Sequence, residues 1–344
     1  MSGMNALPAL AIAQSVAPSF ANTAARPQPL KAASSQPCDR LLAVAAGYVE
    51  VIEGWSCSVQ DVIRLSTLAT ELIGLNDSAP QVCLGMAPHL AIHSPALRHA
   101  FFAAIVGIQT GRAIQLDAVR QLAVAKAAMT MNLSALELQD DLAAPQASPS
   151  EAQRITLLRH PLLAADLLLD SPGVDLRWID AVEQHHEALD GSGYPHALRG
   201  DEICLEARIL RIADVWCALV APRRHNRSAK SPREAIHWLL ARSRQMFDPR
   251  LLDALRRLSG NYPPGTLVRL ANRETAIVVD APRASAPPRQ VVAFLGAHGR
   301  LYREPVWRDT GRAHYAIRSY ATLPPIEIKP AYWNGIWQQS GARR

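Results

Sequence analysis

Apolar residues recur at helical spacing along most of this 344-residue chain. From Asp39 to Leu258 they fall three or four positions apart, with breaks at glycine, proline and short polar clusters, which is the pattern of amphipathic helices. Beyond Gly260 the pattern changes to short apolar runs separated by turn residues, which is typical of β-strands. The sequence therefore predicts a mainly α-helical protein with a small C-terminal β appendage.

The helical part divides at start and stop signals. About three helices precede a predicted turn at Asn76-Asp77-Ser78, and the cluster Asp170-Ser171-Pro172-Gly173 ends a later helix. Ser231 suits an N-cap, with Pro232 at the first helical position. After the leader, the predicted helices cover residues 95–110, 115–133, 154–169, 176–187, 205–220, 233–243 and 249–258, and the predicted strands cover residues 266–270, 275–279, 291–295 and 316–317.

Changes in composition divide the chain into five predicted segments. Residues 1–37 are rich in Ala, Pro, Ser and Gln without an apolar period, and are predicted to be a disordered tail. Residues 38–94 form a helical leader that packs on the main domain or mediates dimerisation. The main helical domain covers residues 95–260, the β appendage residues 261–325 and a C-terminal tail residues 326–344.

Composition narrows the function only slightly. The chain is 49% hydrophobic and 19% charged, with a net charge of +6 that suits an anionic partner or solubility alone. No apolar run approaches the length of a membrane span. A secretion signal requires basic residues near its N-terminus, and none precedes Arg26 in this chain. The five cysteines are widely spread and form no CxxC pair, so neither a zinc ribbon nor a disulfide framework is predicted. We expect a cytoplasmic protein that binds no DNA.

Two adjacent histidines, His185 and His186, stand before a glycine-rich loop that ends at Pro195. Neighbouring side chains on a helix point about 100° apart, so both histidines cannot face solvent if one face of the helix is buried. Two histidines presented to a cleft by a rigid turn suit metal ligation or acid–base chemistry. The alternative is a helix C-terminus whose histidines interact with the helix dipole, followed by a glycine cap.

The whole string from His185 to Pro195 favours the functional interpretation. It resembles the HHE-x-x-DGSGYP signature of the HD-GYP family, bacterial phosphohydrolases that open cyclic di-GMP. The resemblance covers roughly residues 97–258, and it implies an HD-domain helical bundle with metal-dependent phosphodiesterase activity. The further matching positions are Leu198, Gly200, Ile203, Ala207, Arg208, Ile209, Ala213 and Asp214.

The resemblance also implies a metal centre whose ligands come from several helices. A two-metal hydrolase needs histidine and carboxylate ligands, together with a bridging carboxylate that brings two ions to one water molecule. For His99 taken alone, a buried structural histidine beside Phe101 and Phe102 is the alternative. The positions that match the family's ligands are His99, His160, His185, His186 and Asp214.

The family's defining His-Asp pair is replaced here by Met131 and Asn132. Asparagine has a neutral carbonyl oxygen and cannot bridge two cations as a carboxylate does. The thioether of methionine is a soft ligand and a poor one for Fe, Mn or Mg. We therefore predict that the two-metal centre is lost. The remaining ligands either hold one divalent ion (Zn, Fe or Mn, with Zn the easiest match) or line a polar cavity without metal.

Residues around the histidine pair receive supporting roles from the resemblance. Glu187 and Asp190 are candidates for hydrogen bonds that orient the metal-ligating histidines, although Asp190 alternatively bonds to its own turn. The basic loop after residue 220 either clamps phosphates or is a solvated surface loop. The candidate nucleotide-binding residues are Gly193, Tyr194, Pro195, Arg224, Arg227 and Lys230.

Three functions are compatible with this pattern. A nucleotide-binding or regulatory signalling module, with hydrolysis lost or weak, explains both the retained loop and the replaced pair, and it is the preferred prediction. An active metal-dependent cyclic di-GMP phosphodiesterase is the second. A scaffold whose loop contacts a protein such as a diguanylate cyclase domain is the third. The predicted ligand is cyclic di-GMP or a related nucleotide, and the oligomeric state is left open.

Overall fold

The computed structural model describes residues 36–143, 148–221, 229–280, 286–323 and 328–341. The predicted tail at residues 1–37 therefore lies almost wholly outside the described residues. Within them the chain is mainly α-helical, as predicted. The α-helices are α1 (Pro37–Glu53), α2 (Val59–Ser78), α3 (Pro80–Met86), α4 (Pro95–Ala113), α5 (Ala118–Thr130), α6 (Leu136–Ala143), α7 (Glu151–Leu169), α8 (Leu176–Glu183), α9 (Leu205–Val220), α10 (Pro232–Leu240), α11 (Ser243–Met246), α12 (Pro249–Ser259) and α13 (Pro330–Gly341), with 3-10 turns at Ala87–His89, Gly200–Glu202 and Ala313–Tyr315.

A small antiparallel sheet follows the helical domain, also as predicted. Its strand order is β4-β3-β2-β1-β5, so the last strand returns beside the first. The nine-residue β4 was missed because it is an edge strand without a fully buried residue, and Arg303, Glu304 and Pro305 interrupt its apolar alternation. The strands are β1 (Leu267–Leu270), β2 (Thr275–Val278), β3 (Gln290–Leu295), β4 (Leu301–Asp309) and β5 (Ile317–Tyr320).

Side-chain caps determine where several helices begin. Ser150 caps α7 and forms a capping box with Gln153, so this helix begins at Glu151, three residues before the predicted start. The side chain of Asp117 accepts a hydrogen bond from the main-chain nitrogen of Arg120, so α5 begins only at residue 118. Helix α9 covers residues 205–220 as predicted. Among the described helices, none combines the length and the apolar character that a membrane span requires.

Helix α4 lies at the centre of the helical domain. Its residues from Ala100 to Gly111 are all buried, as expected of a helix that is covered on every side. It packs against α2, α5, α9 and α12. Because His99 directly precedes the buried stretch, this packing positions the first of the predicted ligands.

The leader contains two long helices, α1 and α2, where about three were predicted before residue 76. Asn76, Asp77 and Ser78 form the last turn of α2, so the predicted turn is wrong at this point. The buried Asn76 amide satisfies its own polar atoms, because its nitrogen donates to the Leu72 oxygen at 2.9 Å and its oxygen accepts from Gln109 at 2.9 Å. These bonds let the helix continue through a polar stretch.

The segment predicted as a C-terminal tail contains helix α13. Trp337 packs so closely on α3 that a Cβ atom added to Gly85 would lie 2.0 Å from its ring. Trp333 stacks on His89 with ring centroids 5.0 Å apart, and the His89 ring donates from Nε2 to the Gly265 oxygen at 2.8 Å. One hydrophobic core thus reaches from α1 to α13. The predicted limits of the leader, main domain and appendage stay predictions.

Candidate functional site

Two buried histidines form the floor of the candidate site. His160 comes from the middle of α7, and His185 lies in the turn after α8. The Nδ1 atom of His160 lies 2.5 Å from the Leu157 oxygen, and that of His185 lies 2.6 Å from the Val182 oxygen. Since a carbonyl oxygen can only accept, each Nδ1 carries a proton and each Nε2 is left as a ligand atom.

His186 completes a cluster of three imidazoles. One ring nitrogen from each of His160, His185 and His186 lies within 4.8 Å of the others. On its other side, His186 stacks on Tyr194 with ring centroids 4.7 Å apart. The cluster has the size that one metal ion with three nitrogen ligands requires.

The prediction that a helix over residues 176–187 carries this pair is wrong, because α8 ends at Glu183. The side chain of Gln184 accepts a hydrogen bond from the Cys204 main-chain nitrogen at 2.8 Å, so the turn is tied to the start of α9. This long-range bond, rather than a local stop signal, accompanies the end of the helix. As a result both histidines project from a turn.

An ionised carboxylate borders the cluster. Asp214 of α9 accepts from His99 Nε2 of α4 at 2.7 Å, and its other oxygen lies 4.0 Å from His186 Nδ1. Burial opposes ionisation of Asp214, but the hydrogen bond from His99 and the nearby imidazoles outweigh it and hold the pKa of this carboxyl well below its usual range. The structure thus brings together all five predicted ligands, and His99 is hydrogen-bonded to Asp214 rather than an isolated core histidine.

The three clustered imidazoles are held in their neutral form. Burial lowers the pKa of His185 to about 3, with repulsion from His160 as the next cause. Burial also lowers the pKa of His160, and it lowers the pKa of His186 well below its ordinary value. Neutral imidazole is the form that binds metal ions, so the environment favours ligation at physiological pH.

Met131 and Asn132, the residues predicted to stand in place of the His-Asp pair, supply no charge. Met131 directly follows α5 and is fully buried, and Asn132 is 4% exposed. The amide oxygen of Asn132 accepts from Gln139 Nε2 at 2.8 Å, while Ser134 donates to the His160 main-chain oxygen at 2.9 Å. Among the described residues, the three histidines fit one ion, and the amide of Asn132 offers no bridging carboxylate for a second.

The loop after the histidines is held by a buried carboxylate. Glu187 accepts from the main-chain nitrogens of His196 at 2.6 Å and Leu198 at 3.0 Å. The Glu187 side chain thus holds the loop in place. None of its described hydrogen bonds is to a histidine ring, so its predicted role of orienting the histidines stays a prediction. Asp190 accepts from the main-chain nitrogen and the hydroxyl of Ser192 at 2.9 and 2.6 Å, which is the turn role given as its alternative.

Close packing explains the glycine at position 193. A Cβ atom there would lie 2.4 Å from both the Glu187 Cα atom and the Ala188 nitrogen, so only glycine fits. The next peptide bond, between Tyr194 and Pro195, is cis. The close approach at Gly193 shows that the loop folds back against the turn that carries the histidines.

Arg211, a cationic residue to which the sequence alone assigned no role, contacts the histidine cluster. Arg211 of α9 donates from Nη1 to His186 Nδ1 at 3.2 Å, and its guanidinium carbon lies 5.9 Å from the centre of the Phe247 ring. The available signal was its spacing, since a residue three positions before Asp214 shares its face of the helix.

The predicted phosphate clamp is only partly within the described residues. Arg224 and Arg227 lie outside them. Lys230 directly precedes Ser231, the N-cap of α10, and its main-chain nitrogen donates to the Leu219 oxygen at 2.8 Å. The nucleotide-binding roles of these three residues stay predictions.

Comparison with known proteins identifies what the chain is similar to. Residues 86–251 match the HD domain family. The chain is 29% identical over 191 residues to a cyclic di-GMP phosphodiesterase of Pseudomonas aeruginosa, covering 54% of this chain and 45% of the relative. It is 35% identical over 133 residues to the cyclic di-GMP phosphodiesterase response regulator RpfG of Xanthomonas campestris, covering 38% and 35%. The chain thus spans less than half the length of these relatives.

Two further proteins extend the comparison. A 3'3'-cGAMP-specific phosphodiesterase of Vibrio cholerae is 33% identical over 155 residues, covering 36% of this chain and 34% of the relative. Among solved structures, Bd1817, a HDG"Y"P protein from Bdellovibrio bacteriovorus, aligns with a TM-score of 0.52 at 16% identity, covering 63% of this chain and 70% of that chain. At that identity the structural likeness shows a shared fold.

Proposed function

We propose that residues 86–251, which match the HD domain family, form a domain of the HD-GYP type. We further propose that the chain is a signalling module that binds a cyclic dinucleotide and has lost most or all of its hydrolytic activity. The proposed ligand is cyclic di-GMP or a related cyclic dinucleotide, the class on which the similar proteins act according to their names. A cytoplasmic location is part of the proposal.

The observation that carries the proposal is that Met131 and Asn132 stand where the resemblance places the family's His-Asp pair. Met131 is buried, and the amide of Asn132 is engaged with Gln139. Two-metal hydrolysis uses ions to lower the pKa of a shared water molecule, and the neutral amide of Asn132 cannot join two ions as a carboxylate does. The two-metal route therefore lacks one of its components in this chain.

Retained features of the site support ligand binding. The loop between Asp190 and Leu198 is held in one conformation by hydrogen bonds to Glu187 and within the turn. A preorganised loop loses little conformational entropy when a ligand binds. His99, His186 and Asp214 are each partly exposed, so a ligand can reach this edge of the cluster.

One divalent ion is compatible with the proposal but is not required by it. His160, His185 and His186 would hold the ion, and Asp214 would balance part of its charge. When bound, Zn, Fe or Mn supplies a Lewis acid that polarises a phosphoryl oxygen. Ligand binding is therefore to be measured both with and without a chelator.

Calorimetric titration with cyclic di-GMP and 3'3'-cGAMP, paired with chromatography of the products, tests the proposal. We expect binding with a dissociation constant on the order of 10 μM or lower in the presence of EDTA, and no linear dinucleotide after prolonged incubation. Chelator-sensitive hydrolysis at an ordinary turnover would overturn the proposal in favour of an active phosphodiesterase. Absence of both binding and hydrolysis would overturn it in favour of a scaffold that binds a protein such as a diguanylate cyclase domain.

A further inference from the structure

Arg211 places a positive charge at the edge of the histidine cluster. It lies on α9 one helical turn before Asp214, and its Nη1 atom is 3.2 Å from His186 Nδ1. His186 is one of the three clustered imidazoles, so the guanidinium is next to any cation that the cluster holds.

This charge has no counter-ion among the described residues. Other arginines nearby pair with carboxylates at 4.0 Å or less, but no such pair includes Arg211 in the part of the chain that the structure describes. Its Nε atom is buried and has no hydrogen-bond partner there. The nearby pairs are Arg120 with Glu206, Arg177 with Glu206, and Arg208 with Asp201 and Asp248.

The half-buried Arg211 guanidinium, which has no counter-ion among the described residues, is suited to bind an anion from solution. Removing a charge from water is costly unless the protein or a ligand compensates it, and an unused N–H donor adds to that cost. Asp214 makes no ion pair with Arg211 at 4.0 Å or less, since its Oδ1 atom accepts from His99 at 2.7 Å and its Oδ2 atom lies 4.0 Å from His186 Nδ1. The remaining N–H groups of Arg211 thus present the donors that bind phosphate oxygens.

The same charge acts against a metal ion. Like charges on neighbouring groups repel each other appreciably in a partly desolvated site. In addition, the hydrogen bond from Arg211 uses the Nδ1 lone pair of His186, which is then unable to ligate a metal. Binding of a metal ion by all three histidines therefore competes with the position that Arg211 occupies.

We propose that Arg211 forms an anion site at the edge of the histidine cluster, in which a phosphate group of the ligand binds against the guanidinium. The identity of that ligand as a cyclic dinucleotide rests on the proposed function, but the binding of a phosphate anion at Arg211 does not. The guanidinium then contributes the positive charge that the ions of a two-metal centre would supply to a phosphodiester.

Reciprocal binding measurements on Arg211 variants test this inference. Arg211→Met keeps a similar side-chain volume without the charge, and Arg211→Lys keeps the charge without the planar fork. The matched control is Arg154→Met, an exposed position near the start of α7. The two probes are inorganic pyrophosphate in EDTA and Zn²⁺ alone, each titrated by calorimetry at constant ionic strength.

We expect Arg211→Met to weaken pyrophosphate binding by roughly tenfold or more and to strengthen Zn²⁺ binding by a similar factor, with Arg211→Lys intermediate and Arg154→Met unchanged. Both affinities remaining at their wild-type values in Arg211→Met would overturn the inference. So would failure of the wild-type protein to bind pyrophosphate.

A measurement on the wild-type protein makes the test independent of how the variants fold. The ¹H–¹⁵N resonance of the Arg211 side chain at Nε, assigned from its disappearance in Arg211→Lys, should shift on addition of pyrophosphate. An unshifted resonance would contradict the inference. If pyrophosphate binds at Arg211 but cyclic dinucleotides do not bind, the anion site stands and the proposed function fails.

Discussion

The Nε2 atoms of His160 and His185 lie 3.3 Å apart, and each ring directs its Nδ1 at a main-chain carbonyl oxygen. In the neutral rings, both Nε2 atoms therefore present lone pairs to each other. Such a pair attracts a shared cation, which is either one proton or one metal ion. Metal stoichiometry is thus a direct measure of what this cluster can hold.

We expect the wild-type protein, equilibrated with Zn²⁺ and then dialysed, to retain no more than about one ion per chain. The double variant Met131→His/Asn132→Asp should raise this to about two, because it adds an imidazole and the carboxylate that joins two ions. Mass spectrometry of the metal content checks both values. Asn132→Asp alone is the control that adds only the carboxylate, and two ions in the wild-type protein would contradict the prediction.

Glu187→Gln should destabilise the loop that follows the histidines. The substitution replaces one of two accepting oxygens by an NH₂ group that faces a main-chain N–H, at a cost of about 1–3 kcal/mol. Urea unfolding gives the free-energy change, and faster amide exchange at His196 and Leu198 locates it. The control is Glu183→Gln, a more exposed carboxylate that bonds to the His196 ring, for which we expect a change of about 0–1 kcal/mol. Equal effects of the two substitutions would refute the assignment.

Gly193→Ala should cost about 1–3 kcal/mol, because the new methyl group meets main-chain atoms that can move only if the loop shifts. Gly74→Ala is the matched control. Position 74 lies in α2, is exposed and has nothing within 4 Å of an added Cβ atom, so this substitution should stabilise the protein by about 0.5–1 kcal/mol. Thermal unfolding of both variants shows whether the two changes have opposite signs.

The sheet supplies a pH dependence that is separate from the histidine cluster. Burial opposes ionisation of Glu274, but hydrogen bonds from Arg308 and Tyr302 outweigh it and lower its pKa from 4.5 to about 2. A carboxyl whose pKa is lower in the folded state stabilises the fold above its unfolded-state pKa, and that stabilisation is lost as the pH falls from about 4.5 toward about 2.

Glu274→Gln should therefore reduce the loss of stability across this acid range. The difference in unfolding free energy between wild type and variant, measured by denaturant titration at several pH values, should shrink as the pH falls. A difference that stays constant from neutral pH down to the acid range would show that Glu274 does not titrate as described.

Local sequence signals predicted much of the fold. The bounds of α9 followed from its apolar period and from the basic loop that comes after residue 220. The end of α8 was missed because the bond from Cys204 to Gln184 connects residues twenty positions apart. Helix α13 was missed because Trp337, which anchors it, packs on Gly85, a residue that is distant in the sequence.

The candidate site was predicted where its residues matched a motif and missed where only tertiary contacts define a role. His99, His160, His185 and Asp214 were all identified in the sequence, and the structure brings them together. Arg211 lies in the apolar pattern of α9, and its role depends on its contact with His186, which lies in the turn after α8. Charge balance in a folded site is not visible in the pattern of one helix.

The segment from Gln184 to Cys204 is closed by its own hydrogen bonds, first between these two residues and then from Glu187 to the inner loop. Such a segment has the properties of a cassette. We expect a chimera that contains the whole segment, including Glu187, to keep the loop conformation and both histidines. A chimera that lacks Glu187 would contain the motif residues without the hydrogen bonds that fix the loop conformation.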